Sequence, residues 1–129
     1  MNTQNITVLL IEDNAVIRTV HKTFLEKLGC TVSIASQGKE ALEMLENHYD
    51  IIFMDIGLPD IHGAKLVHQI RNHPKTKRPL PIIAITGYSK EKDLQSFLES
   101  GFDEIATKPV LLEKFEALLQ KYCKSHALN

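Results

Sequence analysis

The chain has 129 residues, 15 basic and 16 acidic side chains, a net charge of −1 and 43% hydrophobic residues. That is the composition of one ordinary globular domain, large enough to bury roughly two-thirds of the surface its unfolded chain exposes. The charge balance supplies no basic footprint for DNA, RNA or an anionic membrane, and no apolar run approaches the roughly 20 residues of a membrane span. The start, Met1 to Asn5, lacks the basic region and apolar segment of a signal peptide, so a cytoplasmic location is expected, without nucleic-acid or membrane contact. Cys30 and Cys123 then read as two separately packed thiols.

Strand and helix patterns alternate along the chain. Residues 6–11 read as a strand. Asn14 is placed to cap the helix that follows, whose apolar face carries Ile17, Val20, Phe24, Leu25 and Leu28, and Gly29 ends it. Residues 31–35 form a weaker, edge-like strand, and 39–47 a short helix with Ala41, Leu42 and Leu45 inward. Residues 51–54 are the third strand, 57–60 a turn, and 64–72 a helix burying Leu66, Val67 and Ile70. A polar loop at 72–80, with Pro74, Pro79 and the basic Lys75, Lys77 and Arg78, reads as a solvated face. Residues 82–85 are the fourth strand. Ser89 is placed to cap a helix carrying Leu94, Phe97 and Leu98, which Gly101 stops. Residues 104–107 are the fifth strand, and Leu111, Leu112, Phe115, Leu118, Leu119 and Tyr122 pattern the last helix.

Runs of four apolar residues, rich in Ile and Val, are the mark of strands buried on both faces, hence of a parallel sheet. Five strand–helix units with no linker or repeat predict one α/β domain over 1–129, its core at about 6–123. It is a doubly wound five-stranded parallel sheet of order 2-1-3-4-5, flavodoxin-like, with helices on both faces. That order is taken from the general rule for such sheets, which also puts chemistry outside the carboxyl ends of the strands. Glu12 and Asp13 follow the first strand, Asp55 the third, Thr86 and Gly87 the fourth, and Lys108 and Pro109 the fifth. Carboxylates suit a hard divalent cation such as Mg2+, and a lysine beside them suits a phosphoryl group. Singly, each residue would be turn or cap chemistry; the ordered set carries the reading.

The stretches Leu9-Leu10-Ile11-Glu12-Asp13-Asn14, Met54 to Gly63, Ile85-Thr86-Gly87 and Thr107-Lys108-Pro109 together resemble the receiver domains of response regulators in two-component signalling. The resemblance runs from about Thr7 to Tyr122. It implies a phosphoprotein of a two-component or phosphorelay system, in which Asp55 takes a phosphoryl group from the phosphohistidine of a histidine kinase or histidine phosphotransfer domain. It implies Mg2+ held by Asp13 and Asp55, by Glu12 through water and by the Gly57 carbonyl. Lys108 would neutralise phosphoryl oxygens, Thr86 and the Gly87 amide would donate to them, and Pro109 would follow a cis bond. Such a domain catalyses its own phosphoryl transfer and dephosphorylation and is not otherwise an enzyme. Its conformational switch would sit at Thr86 and Ile105. The opening and closing motifs look more like receivers of hybrid sensor kinases than free-standing regulators.

Receivers often carry an aromatic residue three positions before the site lysine; here it is Ile105, so an aromatic rotamer switch is expected to be absent or altered. With Gly57 lacking a side chain, Tyr88 is the expected gate to the hydrolytic water. The histidines at 21, 48, 62, 68, 73 and 126 are scattered and read as surface or partly packed. An FMN binder would need a Gly- or Ser/Thr-rich loop where Glu12-Asp13-Asn14 stands, and a haloacid-dehalogenase-like phosphatase would need an Asp at position 57. A receiver kept only for docking would not need the intact set Asp13, Asp55, Thr86 and Lys108.

Overall fold

In the computed structural model, the described residues are 5–76, 79–87 and 91–123, with the side chains of 91–94 outside the description. Strands β1 (Thr7–Ile11), β2 (Thr31–Ala35), β3 (Ile51–Asp55), β4 (Ile82–Thr86) and β5 (Glu104–Thr107) alternate with helices. The helices are α1 (Ala15–Lys27), α2 (Gly38–Met44), α3 (Gly63–Arg71), α4 (Glu91–Glu99) and α5 (Leu112–Tyr122). The five strands form one sheet of order β2-β1-β3-β4-β5, every pair parallel. This is the order expected from the alternating pattern.

The sheet shows why the central strands β1, β3 and β4 are almost wholly apolar up to their carboxyl ends. Successive side chains of a strand leave opposite faces. Val8 and Leu10 of β1 join Ile51 and Phe53 of β3 in the layer under α1 and α5, with Leu25, Phe115, Leu118 and Leu119. Leu9 and Ile11 join Ile52 and Met54 in the layer under α2 and α3, with Ala41, Leu66, Val67 and Ile70. Both faces of the central strands are covered, so their polar residues are confined to the strand ends and the edge strands β2 and β5. Phe97 of α4 packs on the α2/α3 layer. Among the described residues, no helix is long and apolar enough to cross a membrane.

Local signals account for most helix ends. The Asn14 side chain accepts the amides of Val16 and Ile17, each at 3.0 Å, and so caps α1. Gly29, just past α1, and Gly101, just past α4, have φ of 90° and 122°, which a side chain would oppose. Gly63 opens α3 because a Cβ there would lie 3.1 Å from the Ile56 Cα.

Three expectations about helix faces need correction. Val20 is exposed and His21 is fully buried, so the inward stripe of α1 runs through Ile17, His21 and Leu25 at four-residue spacing. An imidazole counts as polar in a periodicity reading; here its ring is packed edge-to-face on Phe115, centroids 5.2 Å apart. Leu111 is the N-cap residue of α5, exposed at its outer end. Leu98 is also substantially exposed on α4. Cys30 and Cys123 are both buried and unpaired with each other, and burial pushes their thiols up to about 11 and about 12. Ser89 as a cap and Leu94 as a core residue lie outside the description.

Candidate functional site

Glu12 continues the line of β1: its amide donates to the Ala35 carbonyl at 3.0 Å, one step beyond the β1/β2 register. Its side chain is fully buried. The Asn14 amide donates to Glu12 Oε2 at 3.2 Å, while Oε1 has no hydrogen-bond partner. Asp13, the next residue, is exposed. Arg18, one turn into α1, holds this loop from behind, donating from Nη1 to the Glu12 carbonyl at 3.2 Å and more distantly to that of Asp13.

Ile11 pairs with Met54, so Glu12 comes alongside Asp55. Asp55 is buried at the carboxyl end of β3. Its two oxygens have different partners. Oδ1 accepts the Gly57 amide at 3.0 Å, and Oδ2 lies 3.1 Å from Lys108 Nζ. The same ammonium is 3.5 Å from Glu12 Oε1. One carboxylate oxygen from each of Glu12, Asp13 and Asp55 lies within 4.8 Å of the others.

The fourth and fifth strands complete the rim. Thr86 is buried and pairs with Thr107, and its carbonyl accepts the Lys108 amide at 2.9 Å. The Lys108–Pro109 peptide is cis. Gly87 is exposed, and a Cβ built on it would meet nothing within 4 Å.

The electrostatics follow from burial and crowding. Desolvation, with the Asp55 charge beside it, pushes the Glu12 carboxyl up to about 7, against the opposing Asn14 amide and Lys108 ammonium. Burial would also raise Asp55, but the Gly57 amide, the Lys108 ammonium and a hydrogen bond from Glu12 outweigh it and hold Asp55 below the usual carboxylate range. The proton the two carboxyls compete for is therefore drawn toward Glu12 and away from Asp55. Lys108 is raised despite its partial burial, chiefly by the hydrogen bond and charge of Asp55. Three carboxylates this close with one ammonium leave an acidic cleft that a hard, oxygen-seeking divalent cation would relieve.

Of the residues singled out from sequence, Glu12, Asp13, Asp55 and Lys108 converge, and Thr86 adjoins them through the β4/β5 register. Gly57 lies against Asp55, its absent Cβ only 3.8 Å from Oδ1. Ile105 is not at the cleft; it is half-buried against the α2/α3 layer. Tyr88 lies outside the described residues. His62, two residues before the α3 amide it serves, is exposed and caps that helix by accepting the Ala64 amide. The residues missed were Arg18 and His21. Both act from α1, Arg18 on the acidic loop just before the helix and His21 on a loop 89 residues away, and only their helical spacing behind the acidic loop hints at them.

A family profile described as the response regulator receiver domain matches residues 8–120. The transcription factor SKN7 of Saccharomyces cerevisiae is 37% identical over 118 residues, which is 91% of this chain but only 18% of SKN7. The receiver domain of sensor histidine kinase PA1611 of Pseudomonas aeruginosa, crystallised with a magnesium ion in its active-site cleft, is 32% identical. It superposes with a TM-score of 0.82 over 92% of this chain and 97% of that one. The receiver domain of Ssk1 of S. cerevisiae, crystallised with the histidine phosphotransfer protein Ypd1, is 29% identical, with a TM-score of 0.86 over 95% of this chain and 92% of that one. The chain belongs to the response regulator receiver domain family.

Proposed function

We propose that Asp55 accepts a phosphoryl group from a phosphohistidine and that the phosphoaspartate so formed signals through the Thr86 side of the cleft. A carboxylate oxygen of Asp55 attacks phosphorus. The O–P bond forms as the P–N bond breaks, and the electron pair leaves with the donor imidazole, which takes up a proton. The observation that carries this reading is the division of labour at Asp55. One oxygen is fixed by the Gly57 amide, and the other faces the Lys108 ammonium at 3.1 Å. Phosphoryl transfer asks little covalent chemistry of a protein beyond such positioning and charge neutralisation.

Lys108 stands where the transferred oxygens would gather and acts on them as a point cation. The Thr86 hydroxyl and the Gly87 amide are the donors assigned to the same oxygens. Asp13 and Asp55, with Glu12 through water and the Gly57 carbonyl, would hold Mg2+. The clustered carboxylates fit a hard cation. When bound, Mg2+ neutralises charge between the attacking carboxylate and the phosphoryl group. Asp55 stays ionised, as a nucleophile must, because the Gly57 amide and Lys108 offset its burial.

The donor is a histidine kinase or a histidine phosphotransfer domain, the kind of partner with which the Ssk1 receiver was crystallised. Phosphohistidine made from ATP belongs in the cytoplasm, and so does this exchange. Because the chain spans less than a fifth of SKN7, the same module also fits as one part of a longer signalling protein, including a hybrid sensor kinase. The test is to incubate the protein with acetyl phosphate and Mg2+ and weigh it. A gain of one phosphoryl mass, lost in Asp55→Ala and on chelation of Mg2+, is expected; a wild-type protein that gains no mass overturns the reading.

A further inference from the structure

We propose that His21 is a positioning residue for phosphoryl transfer: by accepting the Val110 amide it fixes the loop that carries Lys108 to Asp55. The inference rests on Asp55 being the acceptor, and it concerns a residue that takes no part in binding the metal or the phosphoryl group.

The Lys108–Val110 segment has few ways to be held. The Lys108 amide donates to the Thr86 carbonyl at 2.9 Å. Pro109 has no amide to donate. The Val110 amide, buried two residues past the site lysine, would be an unsatisfied donor without a partner, a costly state in a folded protein. Among the described residues it has no backbone acceptor. Its partner is His21 Nε2 at 3.0 Å, a buried bond across 89 residues of sequence. Val110 itself is buried in the same layer.

The imidazole is equally constrained. It is fully buried on α1, packed edge-to-face on Phe115 of α5 at 5.2 Å. Phe115 in turn packs edge-to-face on Phe53 of β3 at 5.0 Å, two residues before Asp55. Because Nε2 accepts, the ring must be neutral with its proton on Nδ1. Among the described residues that Nδ1 has no partner, so the bond to the Val110 amide is the hydrogen bond recognised for the ring. Desolvation, and then the nearby Lys108 charge, hold the imidazole down to about 4, against a smaller opposing pull from Asp55. Neutrality is the condition for accepting, since a doubly protonated ring would present N–H to N–H. A valine or leucine would fill the space at position 21, yet it would leave the Val110 amide without an acceptor.

Misplacing a catalytic charge by about 1 Å can cost on the order of a hundredfold in rate. Three forms would be compared: wild type, His21→Leu, which keeps the apolar volume but removes the acceptor, and His21→Gln, whose Oε1 can reach the place of Nε2. The expected result is that His21→Leu slows phosphorylation by acetyl phosphate roughly 10- to 100-fold. Its Mg2+ affinity should not fall, because the carboxylates assigned to the metal lie outside the Lys108 loop and Lys108 only competes with the cation, and His21→Gln should recover most of the rate. A folded His21→Leu that phosphorylates within about twofold of wild type overturns the proposal, as does a loss in rate that His21→Gln does not relieve. Should His21→Leu not fold, nitrogen NMR on the wild-type protein decides. Nε2 must be unprotonated and coupled to the Val110 amide; a proton found on Nε2, or no coupling, overturns it. Wild-type protein that takes no phosphoryl group would instead defeat the assignment of Asp55, so the two failures are distinguishable.

Discussion

Two side chains of α1 tie loops at the carboxyl ends of the strands, whereas Arg71 of α3 ties segments at the opposite end. Arg18 of α1 holds the Glu12 and Asp13 carbonyls, and His21 holds Val110. Arg71 of α3 instead donates to the carbonyls of Leu80 and Gly101 and pairs with Asp103 at 2.7 Å, all near the start of β4 and β5. Asp103 also accepts the Ile82 amide. The loops that carry charge into the cleft are thus tied from α1, while a Cβ on Gly87, just past β4, would meet nothing within 4 Å. A phosphoryl group can shift a two-state element only by stabilising one arrangement more than the other. The side of the cleft with room to rearrange is the side on which that difference can be expressed.

The strongest way to break this contrast is to remove the keystone of the α1/α5 layer. Phe115 is fully buried between His21 and Phe53. Phe115→Ala is expected to cost about 3–5 kcal/mol in urea unfolding. Leu98→Ala on α4, substantially exposed, should cost less than about 1 kcal/mol. Equal losses would mean that the two layers are equally built. A smaller but sharper effect is expected at Gly63, where an added Cβ meets the backbone of Ile56, with the carbonyl oxygen at 3.2 Å. Backbone cannot step aside as a side-chain tip can, so Gly63→Ala should cost about 1–3 kcal/mol by the same measurement.

The cleft itself should report its crowding through pH. Burial and the Asp55 charge raise Glu12 to about 7, above its ordinary 4.5. The folded, metal-free protein therefore binds a proton that the unfolded chain releases between those values, so this group's contribution to stability falls as pH rises through that window. Mg2+ bound as proposed would compete with the same proton. Its affinity should rise by about tenfold from pH 6 to pH 8 if one such proton is displaced, measured by calorimetric titration. In Glu12→Gln the pH slope should flatten. A slope unchanged by that substitution would show that some other group carries the proton.

The sheet and the acidic cleft were legible because each rests on a short, local pattern. Ile51 to Met54 announces a strand covered on both faces, and strand order then brings Glu12 beside Asp55 without any knowledge of side chains. His21 was not legible for the opposite reason. Its meaning lies in one amide 89 residues away, and a histidine on a helix gives no sign of whether it faces water or a buried donor. Val20 was misread with it, since shifting the inward stripe by one residue exchanges the two. Leu111 was misread because an apolar residue just before a helix fits the same periodicity as its first turn.

The smallest expected effect is at Gly87, and it tests the open half of the comparison directly. Its φ lies outside the left-handed region, and a Cβ would meet nothing within 4 Å. Alanine there should fit without strain and restrict the unfolded chain, so Gly87→Ala should leave stability unchanged or raise it by up to about 1 kcal/mol. Phosphorylation by acetyl phosphate should stay within about threefold of wild type, because the Gly87 amide remains and any switch at Thr86 still has space. A loss of stability comparable to that of Gly63→Ala would mean that the end of β4 is packed as tightly as the start of α3. The room to rearrange at Thr86 would then have to come from somewhere else in the fold.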